Sequence, residues 1–235
     1  MTEDNSYERN FSAGIDVTRP LSREIEIVPA DTALLFVDVQ NYNCAPDGSE
    51  HAGLDAAEKE RRFGYFFRTL KGGALRNMVL LQQSCRRGGI EVMYTTIESL
   101  TADGRDRSLD YKITGINIPR GSSDAKVLAD LAPAADEMVF PKSSSSVFVS
   151  THIDYVLRNL GTRFLIIAGC LTDQCVDSAV RDACDLGYLV TVPTDACISL
   201  SADRHEWALR NNRGYCRQRM TREVLEEIER LTVAV

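Results

Sequence analysis

Apolar residues recur along this chain in two alternating rhythms. Short continuous apolar runs at residues 32–38, 90–96, 137–140, 163–168 and 188–192 predict strands covered on both faces, because a strand with no solvated side has no polar face to alternate with. Between them, apolar residues return at helical spacing. Residues 73–87 carry Leu75, Met78, Val79 and Leu81 on one stripe and stop at Gly88-Gly89, a natural helix terminus. The same period predicts helices over 123–131, 151–160, 175–186, 202–211 and 221–231. Strand and helix alternate throughout, which predicts an α/β fold: a three-layer, doubly wound parallel sheet with helices on both faces. The domain reading is a polar N-terminal arm, 1–31, and one domain, 32–235. Residues 45–71, rich in polar and charged side chains, read as a loop or lid.

Composition narrows the class. The chain has 235 residues, 44% hydrophobic and 26% charged, with a net charge of −7. No basic patch is available to nucleic acid. No apolar run approaches the roughly 20 residues that span a bilayer, so no membrane partner is expected. Residues 1–20 lack the apolar core of a signal peptide. Seven cysteines, an odd number with no Cys-x-x-Cys, fit reduced thiols better than a disulfide framework, and the expected location is cytoplasmic.

Ligands of such sheets sit outside the carboxyl ends of the strands. Three reactive side chains fall there: Asp38 at the end of the first strand, Lys142 after the third, and Cys175 after the fourth. The apolar run before Cys175 breaks at Gly169 and turns through Thr172, a good N-cap for the helix that Cys175 opens. A thiol in a first helical turn meets the positive end of the macrodipole, which favours thiolate and describes an activated nucleophile. Each residue also has a plainer reading: a capping aspartate, a solvated lysine, a core cysteine.

Together the runs Asp-Val-Gln-Asn at 38–41, Lys-x-x-x-Ser-x-Phe at 142–148 and Gly-x-x-Thr-x-x-Cys-Val at 169–176 resemble the isochorismatase-like cysteine hydrolases, over about 32–231. That family includes nicotinamidases, N-carbamoylsarcosine amidases and ureidoacrylate amidohydrolases. The resemblance implies a catalytic triad of Asp38, Lys142 and Cys175, a cis peptide at Cys170-Leu171, and an oxyanion hole from the backbone amides of Leu171 and Cys175. It implies no cofactor, a small-molecule substrate and a homo-oligomer, dimer or tetramer. In that reading Asp38 takes the thiol proton, and Lys142 lowers both carboxylate and thiol pKa.

Departures from the family narrow the substrate. Metal-dependent nicotinamidases carry Asp-x-His at the end of the second strand, where this chain reads Thr95-Thr-Ile-Glu-Ser-Leu100; His51, His152 and His205 show no ligand spacing, so no metal is expected. Tyr42-Asn43 replaces the usual acidic-aromatic pair. Candidate substrate contacts are Asn41, Glu98, Arg105, Ser146 and Phe148, with Arg107, Tyr111 and Lys112 nearby; Arg suits carboxylate recognition, and a solvated loop with local ion pairs is the alternative. Cys44, Cys85, Cys184, Cys197 and Cys216 read as structural, and Trp207 and Tyr215 as packing residues. The functional expectation is a metal-free cysteine amidohydrolase cleaving a small carboxamide or ureido compound through a thioester-type intermediate. A vinyl ether hydrolase and a non-catalytic binding member of the fold are the alternatives.

Overall fold

Every residue of β1, Thr32–Val37, is buried, as its unbroken apolar run requires. In the computed structural model, whose described residues are 22–232, this strand lies inside a seven-stranded sheet. The others are β2 (Glu91–Ile97), β3 (Met138–Lys142), β4 (Phe164–Cys170), β5 (Leu189–Pro193), β6 (Cys197–Ile198) and β7 (Cys216–Arg219). All pairings are parallel, in the order β3-β2-β1-β4-β5-β7, with β6 beside the end of β4.

Besides a single helical turn at Asn41–Cys44, the α-helices are α1 (Ala56–Thr69), α2 (Leu75–Arg87), α3 (Leu109–Thr114), α4 (Val147–Ser150), α5 (Ile153–Asn159), α6 (Cys175–Asp185), α7 (Ala202–Asn212) and α8 (Thr221–Thr232). Alternation along β1 splits the core in two. Leu34 and Phe36 face Phe66 of α1, Met78 and Leu81 of α2, and Val224 and Ile228 of α8. Ala33, Leu35 and Val37 join Ile153 and Leu157 of α5 and the stripe Val176, Ala179, Val180 and Ala183 of α6. The three expected layers are present.

Several sequence expectations change. Residues 45–71 are not an open loop: Asp55 accepts the amide of Glu58 (2.8 Å) and caps α1, which buries Phe63 and Phe66. A π-turn, Leu70–Ala74, links α1 to α2, and Gly73 takes φ 154°, so the second helix starts at Leu75 rather than at 73. The helix expected over 123–131 is reduced to the 3-10 turn Ala129–Leu131. Its carbonyls are taken from outside: Gln40 Nε2 donates to Asp124 O (2.8 Å), Asn41 Nδ2 to Ser123 O (3.0 Å) and Asn41 N to Lys126 O (2.9 Å). β3 runs through Pro141 to Lys142, which a proline allows because this is an edge strand. Residues 1–21 of the expected arm lie outside the described residues, but Ile27 is buried against α8.

β7 was invisible in the hydrophobic pattern because its sequence is Cys-Arg-Gln-Arg. Arg217 is nonetheless buried. Its Nε donates to Thr191 Oγ1 (3.1 Å) and its Nη2 to Glu227 Oε1 (3.0 Å), which also accepts the amide of Ile27 (2.8 Å). One carboxylate therefore ties the N-terminal segment, the sheet edge and α8 together. Breaking a buried pair by removing one partner typically costs about 3–5 kcal/mol, because the other charge stays behind. Arg217→Met is expected to lose about that much in a urea titration. Arg217→Met with Glu227→Gln should recover part of it, whereas an unchanged midpoint for the single variant would show the pair to be dispensable.

Candidate active site

The carboxyl ends of β3, β2, β1 and β4 are neighbours in the sheet, so the residues that leave them converge. Lys142 is the last residue of β3, Thr95 lies near the end of β2, Asp38 follows β1, and Cys175 opens α6 after β4. The close approach of β1 and β4 demands Gly169: a Cβ there would sit 2.2 Å from Val37 O. One residue beyond β1, Asp38 takes left-handed backbone, φ 54°. The turn delivers its carboxylate into the interior.

Asp38, Lys142 and Cys175 are 1%, 0% and 6% exposed, so their charges act in a medium nearly free of water. Lys142 Nζ lies 2.8 Å from Asp38 Oδ2, 3.3 Å from Cys175 Sγ, 2.9 Å from Ser144 O and 3.1 Å from Tyr111 Oη. Thr95 Oγ1 donates to Asp38 Oδ1 at 2.7 Å, and the Asp38 amide donates to Thr95 O at 3.1 Å. The Nζ–Oδ2 contact is an ion pair rather than an aligned hydrogen bond, and it leaves Oδ2 with no hydrogen-bond donor among the described residues. Behind the carboxylate, Asn43 Nδ2 donates to Asp38 O (3.0 Å) and to Cys170 Sγ (3.3 Å).

Burial alone would drive Lys142 toward its neutral form, but Asp38, Cys175 and Tyr111 outweigh it and hold the ammonium above the ordinary lysine range. Cys175 goes the other way from the sequence expectation. Burial pushes its thiol up to about 12; Lys142 pulls it down, and the nearby Asp38 carboxylate pushes it up again. At rest the site therefore holds a carboxylate, an ammonium and a neutral thiol, and a thiolate forms only if a neighbouring base removes the proton.

The turn before α6 is held from behind. Thr172 does not cap the helix; Gln174 occupies the N-cap position, without a side-chain cap. Instead the Thr172 amide donates to Ile198 O (2.8 Å) and its hydroxyl pairs with His205 Nδ1 (2.9 Å). Asp173 accepts from the Ser199 hydroxyl and from Arg204 Nε (2.5 Å). The Cys170-Leu171 peptide is cis. Leu171 O accepts the amides of Gln174 (3.0 Å) and Val176 (3.2 Å), while among the described residues the amides of Leu171 and Cys175 donate to no protein acceptor. Two N–H groups of this turn are thus unused among the described residues.

The sequence-derived substrate contacts each have protein partners of their own. Asn41 pins the 123–126 loop, and Glu98 Oε1 accepts the Gly121 amide (2.6 Å). Arg105 pairs with Asp103 at 3.0 Å on an exposed loop, the plainer of its two readings. Ser146 caps α4 by accepting the Val149 amide (3.1 Å) and donates to Asp182. Phe148 packs beside Tyr188, with ring centroids 6.1 Å apart. Thr95 and the Ser199–Arg204–His205 support carried no sequence signal, since each acts through a contact distant in the chain. A surface groove of about 420 Å3, lined by Glu206, Arg210, Gln218 and Arg219 among others, holds none of the three central groups. All seven cysteines are free. Among the described residues no His, Cys, Asp and Glu cluster is placed to hold a metal ion, and no helix is long and apolar enough to cross a membrane.

A family model described as the isochorismatase domain matches residues 32–224. A ureidoacrylate amidohydrolase, RutB, of Rhizobium rhizogenes is 28% identical over 215 residues, covering 84% of this chain and 82% of that protein. A cysteine hydrolase from Pseudomonas syringae pv. phaseolicola 1448A is similar with a TM-score of 0.77 and 23% identity, over 91% of this chain and 99% of that one. The N-carbamoylsarcosine amidase of Thermoplasma acidophilum gives 0.60 and 22%, over 81% of this chain and 96% of that one. At these identities the two structures attest the fold. Since the matched segment takes in all seven strands and the four groups at their carboxyl ends, the chain belongs to the isochorismatase family of hydrolases.

Proposed function

We propose that this protein is a cysteine amidohydrolase that cleaves a small carboxamide or ureido compound through a thioester-type intermediate and releases ammonia or an amine. The observation that carries the reading is the sealed cluster in which Lys142 Nζ lies 2.8 Å from Asp38 Oδ2 and 3.3 Å from Cys175 Sγ. The names of the relatives, a ureidoacrylate amidohydrolase and an N-carbamoylsarcosine amidase, point to the same bond class.

The chemistry follows from the resting charges. Asp38 is the base that removes the Cys175 proton as the sulfur attacks the planar carbonyl. Lys142 stays protonated throughout and offsets whichever neighbour is negative, first the carboxylate and then the thiolate. The oxyanion forms against the unused amides of Leu171 and Cys175, where one such donor is typically worth about 3–4 kcal/mol. Asp38 then hands its proton to the departing nitrogen, since an amide anion is too basic to leave unaided. Water, deprotonated by Asp38, cleaves the acyl-sulfur bond and restores the thiol. Seven free cysteines also suit a reducing compartment.

Two measurements test this. In ammonia release from a panel of small amides and ureido compounds, Cys175→Ser and Asp38→Asn are each expected to lose at least about a thousandfold in kcat, the scale on which removal of one member of such a unit acts. During wild-type turnover, a mass adduct should map to the Cys175 peptide. Full activity in Cys175→Ser would overturn the reading, and pyruvate release from an added enolpyruvyl ether, with no ammonia from any member of the panel, would replace it by vinyl ether hydrolysis. The second concerns pH. A thiol raised to about 12 stays protonated where a free cysteine, near 8.5, already ionises. Alkylation of Cys175 by iodoacetamide should therefore keep rising beyond pH 9, and a plateau near pH 8.5 would contradict the neutral resting thiol.

A further inference from the structure

Tyr111 lies outside every motif that links this chain to its family, yet it touches two of the three central groups. Its hydroxyl accepts from Lys142 Nζ at 3.1 Å and lies 3.9 Å from Cys175 Sγ, and the residue is 2% exposed. The placement is fixed from several directions. Tyr111 is the buried residue of α3, whose Leu109 and Ile113 are 74% and 75% exposed. Ser108 caps the helix by accepting the Tyr111 amide (3.2 Å), and its own amide donates to Ser143 O (2.9 Å), beside Lys142. Arg107 holds the flanks through Gly104 O (2.8 Å) and Ile116 O (2.7 Å). The ring packs with Ile97, Ile118 and Ala125, which leaves the hydroxyl as the one polar point directed at the site.

We propose that Tyr111 is a positioning residue of the active site: its hydroxyl, accepting from Lys142 and donating to Cys175, fixes the ammonium between carboxylate and sulfur and gives the thiolate a second hydrogen-bond donor. The inference rests on the cysteine-hydrolase reading above. Lys142 has four neighbours within 3.3 Å and three protons to give. Because Nζ occupies a lone pair of the phenol oxygen, the phenol proton is directed elsewhere, and the sulfur is the acceptor within reach. Burial keeps that proton in place, raising the phenol beyond the ordinary tyrosine range although Lys142 lowers it. When Asp38 takes the thiol proton, the sulfur becomes a charged acceptor and this contact strengthens.

The test compares wild type with Tyr111→Phe, which keeps the ring and removes the oxygen, and with Tyr111→Met, which fills the same apolar space. Either variant suffices if only one folds. Alkylation of the mapped Cys175 peptide by iodoacetamide should be about tenfold slower at pH 8, at the low end for a lost hydrogen bond to a charged group, with its pH profile displaced upward. Ammonia-release kcat should fall by a similar factor while KM stays within about twofold. Addition of Lys142→Met should shrink the Tyr111→Phe effect, since two groups in one network are not additive. Superimposable alkylation profiles in folded variants, or full additivity with Lys142→Met, would overturn the proposal and leave Tyr111 as packing. Alkylation reads Tyr111 without any substrate. If the profile moves while the amide panel stays silent, the positioning role stands and the amidohydrolase reading fails.

Discussion

A charged lysine with no exposed surface is the constraint around which this molecule is organised. An ammonium removed from water costs several kcal/mol even after relaxation, unless opposite charge and hydrogen-bond acceptors replace the lost hydration. Lys142 finds them in Asp38 Oδ2, Ser144 O and Tyr111 Oη. Those partners come from three separate stretches of chain, so the charge is matched only when β1 and β3 stand on either side of β2 and the 101–118 segment is folded over them. The same arrangement that makes the charge tolerable also sets Cys175 Sγ within 3.3 Å of it. Fold and chemistry share one set of contacts.

That coupling explains why the thiol is not a simple helix-terminus thiolate. Two opposing effects act on Cys175. The helix end and Lys142 favour the anion, while dehydration and the nearby carboxylate oppose it, and dehydration dominates. A permanently ionised sulfur next to Asp38 would set two negative charges against one positive. Keeping the thiol neutral leaves the resting site balanced and confines the nucleophile to the moment of attack. The support behind the turn, from Ser199, Arg204 and His205, keeps the amides of Leu171 and Cys175 in place without using them.

How much of this the sequence revealed depends on the range of the forces involved. The layers, the order of strand and helix, and the three central residues were legible, because burial on both faces leaves continuous apolar runs and the motifs lie where those runs end. What escaped detection was set by contacts distant in the chain. β7 is polar in composition and is a strand because Arg217 finds Glu227 and Thr191. The segment 123–131 has helical spacing but loses its carbonyls to Gln40 and Asn41. Thr172 looked like a cap and is instead bound to His205, 33 positions away. α1 was visible and overlooked: Phe63, Phe66 and Leu70 recur at helical spacing after a capping Asp55, inside a stretch whose charge suggested a loop.

The left-handed backbone at Asp38, φ 54°, bears on how this position can drift. Few L-residues accept that conformation; aspartate, asparagine and glycine do so most readily. Asparagine and glycine would preserve the turn and lose the carboxylate, and each is reached from aspartate by a single base change. Either substitution alone strands Lys142 as an uncompensated interior charge, so a lineage that gives up the carboxylate is pressed to give up the lysine as well. Positions 38 and 142 are in that sense one heritable unit, and silent descendants of this enzyme should carry both losses or neither.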